Sequence, residues 1–271
     1  MQYDYKQEQD RVFSMDEFRQ FDQLNENMNS RIPIFFCVDI SGSMGSPVGI
    51  FETRLSLLSK VMKRLLERMK RHHILSERAV VGIVTYNDKA VLQQPALDLG
   101  VLDIERAVRF NNENQTIFSL GLRRTLQAID HYRDSIRRSD MDTFTPILVF
   151  MTDGEPVGDD NDEIREVYSE IWRRIQKGDL YVFPIGISRQ AKMNYVSALV
   201  PDHHSYQMVT EKDFEQVFAN IEEIVNTKSG MSFEEDTVQT QKASTQAETS
   251  DTGSGTAFDP SEFFSAVIAK H

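Results

Sequence analysis

A chain of 271 residues, 40% of them hydrophobic, has room for one large α/β domain or two small ones and enough apolar material for a sizeable core. Its 42 acidic residues outnumber 30 basic ones, a net charge of −12, which excludes the concentrated Lys and Arg of a nucleic-acid binder and suits protein, metal-ion or basic-surface partners. The single cysteine, Cys37, excludes an internal disulfide, and a free thiol inside an apolar run suits a reducing compartment.

Residues 1–30 are polar and poorly periodic, with a short helix expected over 15–24. They hold no apolar leader segment, so no secretory signal is expected. No apolar run approaches the roughly 18 residues that span a bilayer, and the cytoplasm is the expected location. The ordered pattern starts at Ile32. Residues 34–38 (Ile-Phe-Phe-Cys-Val) form an apolar run of strand length, as for a strand buried on both faces. After a Gly/Ser-rich turn, Leu55, Leu58, Met62, Leu65 and Met69 recur at helical spacing. The Lys60, Lys63, Arg64, Arg68, Lys70 and Arg71 side chains of the same helix are expected to be solvated.

A second strand is expected over 79–86, a turn at Asn87-Asp88 and a short returning edge strand over 90–93. Leu122, Leu126, Ile129 and Ile136 mark a second helix, and 146–151 another buried strand. Ile164, Val167, Tyr168, Ile171, Trp172 and Ile175 share one helical face, with Gly178 placed to end that helix. A strand over 180–187, a short helix over 193–199, a weak strand over 206–209 and a helix through Phe214, Val217, Phe218, Ile221, Ile224 and Val225 follow. Apolar strands alternating with amphipathic helices predict an α/β fold: a Rossmann-like open, mostly parallel sheet with helices on both faces. Ligands of such sheets sit beyond the carboxyl ends of the strands.

The composition changes after residue 228. Residues 229–256 are rich in Ser, Thr, Gln and acids and are expected to be a disordered acidic linker. Residues 257–271 carry the signals of a short amphipathic helix: Asp259 as cap, Pro260 at the first turn, Glu262 in a box-like position, and Phe263 with Val267 and Phe264 with Ile268 as an apolar stripe. Such a tethered helix is either an intramolecular clasp or a peptide for a partner's groove.

The chemistry concentrates after the first strand, in Asp39-Ile40-Ser41-Gly42-Ser43-Met44. Asp39, Ser41 and Ser43 alternate, so an extended or tightly turning backbone would aim one carboxylate and two hydroxyls at one point. Gly42 and Gly45 would ease backbone approach to an ion. Thr116, ahead of the second helix, and Asp153, closing the strand of 146–151, would complete an oxygen-rich shell if the three strand ends are neighbours. A hard cation of this kind is Mg²⁺, with Mn²⁺ or Ca²⁺ as alternatives. Ser41, Ser43 and Thr116 would ligate directly, Asp39 and Asp153 would hold coordinated waters, and one position would stay open for a partner's carboxylate.

Asp-x-Ser-x-Ser after the first strand, a later Thr, and Thr-Asp-Gly after a buried strand resemble the metal-ion-dependent adhesion site of von Willebrand factor A (VWA) domains. The resemblance covers about 30–228 and defines a domain over 31–228. The Arg31-Ile32-Pro33 lead-in, the Thr-Asp-Gly-Glu-Pro stretch and Pro184-Ile185-Gly186-Ile187 resemble the bacterial TerY-like branch, associated with tellurium-resistance and chemical-stress gene clusters. One difference is Gln115, where the family often has glycine before the Thr. The resemblance implies a scaffold that binds protein partners through the metal, with kinase and phosphatase partners in such clusters, and no catalysis.

A rival order is Ser43…Asp153…His203 or His204, the chain order of α/β-hydrolases, with Ser43 as nucleophile. Against it, Ser41 replaces the elbow's first glycine and only one strand precedes it. A haloacid-dehalogenase phosphatase would need an acid at Ser41, and no Gly-x-x-x-x-Gly-Lys loop is present. The His72-His73 and His203-His204 pairs are expected in exposed turns rather than on zinc.

Overall fold

The computed structural model describes residues 30–208, apart from 49–51, 112–114, 140, 142, 155, 190 and 203–204, together with Asp213. The helices expected over 15–24 and 214–225, the acidic linker and the C-terminal helix lie outside these residues. So do His203 and His204.

Six strands form one sheet in the order β3-β2-β1-β4-β5-β6. They are β1 (Ile32–Asp39), β2 (Ala79–Tyr86), β3 (Ala90–Asp98), β4 (Ile147–Thr152), β5 (Tyr181–Ile187) and β6 (Tyr206–Met208). All neighbours pair in parallel except β2 and β3, which are antiparallel. This is the expected Rossmann-like α/β sheet, with the returning strand at its edge. β1 sits between β2 and β4, so the carboxyl ends of these strands lie side by side.

Every residue of β1, β2 and β4 is buried. Alternate residues serve the two faces, as the pleat requires. Ile32, Ile34, Phe36 and Val38 pack with Leu58, Val61, Met62, Leu65 and Met69 of α1 (Arg54–Arg71). Phe35 and Cys37 face the other way, toward α4 (Phe118–Arg138) and α5 (Asn161–Gln176). Three short helices complete the described elements: α2 (His73–Arg78), α3 (Ile104–Ala107) and α6 (Met193–Ser197).

Several boundaries differ from the sequence reading. β3 continues to Asp98 through Gln93, Gln94 and Pro95, because an edge strand tolerates polar residues and proline where its outer side needs no partner. α2 and α3 are too short to show a period. His72, expected in an exposed turn, is half-buried where α1 gives way to α2. The basic side chains of α1 are not simply solvated: Lys63 pairs with Glu105 and Lys70 donates to the Leu102 carbonyl. Gly178 ends α5 as anticipated, in the left-handed region at φ 72°.

α4 approaches β2 closely. A Cβ on Gly121 would lie 2.5 Å from the Tyr86 ring, so only glycine lets the helix seat there. Tyr86 in turn stacks on Phe150 and meets Phe118 edge-on. This cluster holds the first turn of α4 at the carboxyl edge of the sheet.

Candidate metal centre

β1 ends at Asp39, whose carboxylate is fully buried. One oxygen, Oδ1, accepts the Ser41 N–H at 2.8 Å, and Oδ2 accepts the Thr152 hydroxyl at 2.6 Å. The chain then enters a 3-10 turn, Gly42–Gly45, the tightly turning one of the two expected paths. The hydroxyls meet on it, with Ser41 Oγ and Ser43 Oγ 3.0 Å apart. Ser43 donates to Asp153 Oδ1 at 2.7 Å. Positive φ among the described glycines occurs at Gly158 and Gly178, so Gly42 and Gly45 do not use that freedom. Four of the five expected residues, Asp39, Ser41, Ser43 and Asp153, thus form one hydrogen-bonded cluster at the adjoining ends of β1 and β4.

Thr116 is buried, yet it shares no hydrogen bond with the other four among the described residues. Its loop is brought to the same end of the sheet by three contacts. Ile117 N–H donates to the Asn87 carbonyl beyond β2 at 2.9 Å. Asp159, in the loop after β4, accepts the N–H groups of Phe118 and Ser119, the latter at 3.1 Å. Gly158, at φ 98°, lies so close to Gln115 that an added Cβ would be 3.1 Å from its Oε1. Asp159 is therefore the residue that satisfies the first turn of α4, a capping role that Thr116 could otherwise have filled.

Two neighbours escaped the sequence reading. Thr152, the last residue of β4, holds Asp39 Oδ2 across 113 positions of chain. Arg54, first residue of α1, donates through Nη1 to Asp153 Oδ2. Thr152 stands beside Asp153 in sequence and closes the strand, which is the signal that could have placed it. Arg54 carries none.

Burial dominates the electrostatics. It pushes the Asp39 carboxyl up to about 6; hydrogen bonds from Ser41 and Thr152 oppose the rise, and the Asp153 charge adds to it. Asp39 is held by neutral donors, so Arg54 answers one of two buried carboxylates. Two carboxylates and three hydroxyls make an all-oxygen donor set with negative charge in excess, which fits a hard divalent cation. No group of three or more His, Cys, Asp and Glu side chains that could hold a metal ion is present among the described residues, so any ion here would rest on the two carboxylates together with hydroxyls. Ser43 is exposed while Asp39, Ser41 and Asp153 are buried, so the cluster opens to solvent at the Ser43 side.

The rival triad fits poorly. Ser43 donates straight to the Asp153 carboxylate, and a hydrolase would need an imidazole between these two groups. Cys37 is fully buried, and burial pushes its thiol up to about 12, away from the thiolate that a nucleophile needs.

The family model of the von Willebrand factor type A domain matches residues 34–227. Similar solved structures include the PilB minor pilin from Streptococcus sanguinis, at 14% identity and TM-score 0.57, covering 76% of this chain and 63% of that one. A von Willebrand factor type A protein from Catenulispora acidiphila matches at 14% identity and TM-score 0.53, covering 71% and 42%. Proximal thread matrix protein 1 from the mussel byssus, in a structure with a zinc-occupied MIDAS motif, matches at 15% identity and TM-score 0.50, covering 72% and 46%. The chain spans less than two thirds of each of these proteins, and at such identities the likeness is one of fold. No curated protein matches the sequence.

Proposed function

This chain belongs to the von Willebrand factor type A domain family, and we propose that it is a Mg²⁺-dependent protein-interaction module of the TerY-like branch rather than an enzyme. The observation that carries the reading is the preassembled cluster of Asp39, Ser41, Ser43 and Asp153. Ser41, Ser43 and Thr116 would ligate the ion directly, and Asp39 and Asp153 would hold its waters and supply charge. The ion, when bound, offers a Lewis-acidic position to a carboxylate from a protein partner. Mn²⁺ and Ca²⁺ share the preference for oxygen donors. The byssal protein with zinc in its MIDAS motif supports a divalent cation in this fold.

The surroundings suit a protein ligand. Leu120 in the first turn of α4 and Val157 in the loop after β4 are exposed large apolar residues at the end of the sheet where the cluster opens. The proposed organisation is one such domain over 31–228, a polar extension over 1–30, an acidic linker over 229–256 and a tethered helix over 257–271. Among the described residues no helix is long and apolar enough to cross a membrane. A cytoplasmic setting is supported by the buried, unpaired Cys37. Tellurium-resistance or chemical-stress clusters, with their kinase and phosphatase partners, are the setting that the TerY-like motifs suggest.

The test is a thermal melt of the full chain and of Asp39→Ala/Asp153→Ala, each in EDTA and in millimolar Mg²⁺. A ligand that binds only the folded state at a hundred times its Kd adds about 2.7 kcal/mol. Mg²⁺ should raise the wild-type midpoint and leave the double variant unmoved. A shift of equal size in both would remove the cluster as the binding site.

A further inference from the structure

Arg54 is an unexpected residue for the place it occupies. It opens α1 directly after the capping residue Thr53, where the helix dipole disfavours a cation, and the first turn holds no acidic residue to offset it. Its side chain is only 11% exposed, so water solvates little of its charge. Long cationic side chains are rarely buried this far unless paired. Asp153 supplies the pairing, and does so inside the proposed metal centre.

The Asp153 carboxylate is divided between two duties. Oδ2 takes the guanidinium, while Oδ1 takes the Ser43 hydroxyl. We propose that Arg54 is a resident counter-cation of the metal centre, keeping the carboxylate cluster assembled without an ion and weakening the grip on the ion when it binds. The proposal rests on the metal-binding reading above and adds the residue that sets affinity. A fixed positive charge beside a dication is repulsive, and the low dielectric of a buried site strengthens that repulsion. The same charge offsets Asp153 when no ion is present, so loss of Arg54 exposes the apo protein to uncompensated buried carboxylates.

The experiment compares wild type, Arg54→Gln and Arg54→Lys as full chains, by melting midpoint in EDTA and by calorimetric titration with Mg²⁺ alone. Gln keeps a donor and loses the charge; Lys keeps the charge. Expected for Arg54→Gln is a lower midpoint in EDTA with Mg²⁺ bound about tenfold more tightly or better, so that the ion restores more stability than in wild type. Arg54→Lys should bind Mg²⁺ close to wild type. Binding by Arg54→Gln equal to or weaker than wild type, or equal tightening in both variants, would overturn the proposal. A Gln variant unfolded with and without Mg²⁺ would make Arg54 a folding residue and overturn it too. Mg²⁺ binding by Arg54→Gln but not by wild type would support it, as a site that Arg54 holds closed. Silence in all three chains would sink the metal reading along with it.

Discussion

The two ends of the sheet each bury an arginine against an aspartate, and the difference between them separates a folding contact from the proposed binding site. At the amino end, Arg31 leads into β1 and donates through Nη1 to Asp98 Oδ1 at 3.0 Å and to the Glu77 carbonyl at 2.9 Å. One guanidinium meets one carboxylate, and β1, the end of β3 and the close of α2 are tied together. At the carboxyl end, Arg54 meets Asp153, but a second buried carboxylate, Asp39, stands beside it with the hydroxyls of Ser41, Ser43 and Thr152. Among the contacts of the described residues, charge balances at the first end and is left negative at the second. Burying charge is costly unless it is compensated. The excess is what the proposed cation would offset at the carboxyl end.

Breaking the amino-end pair should have the largest effect. Arg31→Met leaves the half-buried Asp98 without its guanidinium and should lower the unfolding free energy by about 3 kcal/mol. Denaturant melts should show the same loss in EDTA and in Mg²⁺; a loss that Mg²⁺ repaired would erase the distinction between the ends. At the carboxyl end, Asp153→Asn should abolish the Mg²⁺-induced gain of about 2.7 kcal/mol expected at a hundred times Kd. Retention of that gain in thermal melts would place the ion elsewhere.

Smaller changes sharpen the contrast. Ser43→Ala removes the hydroxyl that bonds Asp153 and should cost about 1.5 kcal/mol in EDTA, with a weaker Mg²⁺ response on top. A loss identical in both conditions would reduce Ser43 to a structural hydrogen bond. Thr116→Val nearly preserves shape, and Thr116 makes no hydrogen bond with the cluster. Its stability in EDTA should stay within about 1 kcal/mol of wild type while Mg²⁺ affinity falls. Unchanged affinity, read by calorimetry, would strike Thr116 from the ligand set.

Legibility in the sequence followed the range of the interactions. β1, β2 and β4 are buried on both faces, so their apolar runs marked them directly. β3 was foreseen only in its first residues, because Gln93, Gln94 and Pro95 belong to an edge where packing on one side suffices. α1, α4 and α5 show a helical period, and α2 and α3 are too short to have one. In the site, Asp39, Ser41 and Ser43 are near neighbours in the chain and declare their chemistry together. Thr152 and Arg54 act on carboxylates 113 and 99 residues away; the strand end beside Asp153 could have placed Thr152, whereas nothing local marks Arg54. The capping of α4 by Asp159 is of the same kind, since a helix start normally advertises a cap just before it.

The most direct test of the account is a calorimetric titration of Mg²⁺ into the full-length chain and into Asp39→Asn, which keeps the Arg54–Asp153 pair and removes the second carboxylate charge. Expected is saturable binding at one site per wild-type chain and its loss in the variant. Equal binding by both chains, or none by wild type, Asp39→Asn and Arg54→Gln alike, would contradict a cation site at the carboxyl end of β1.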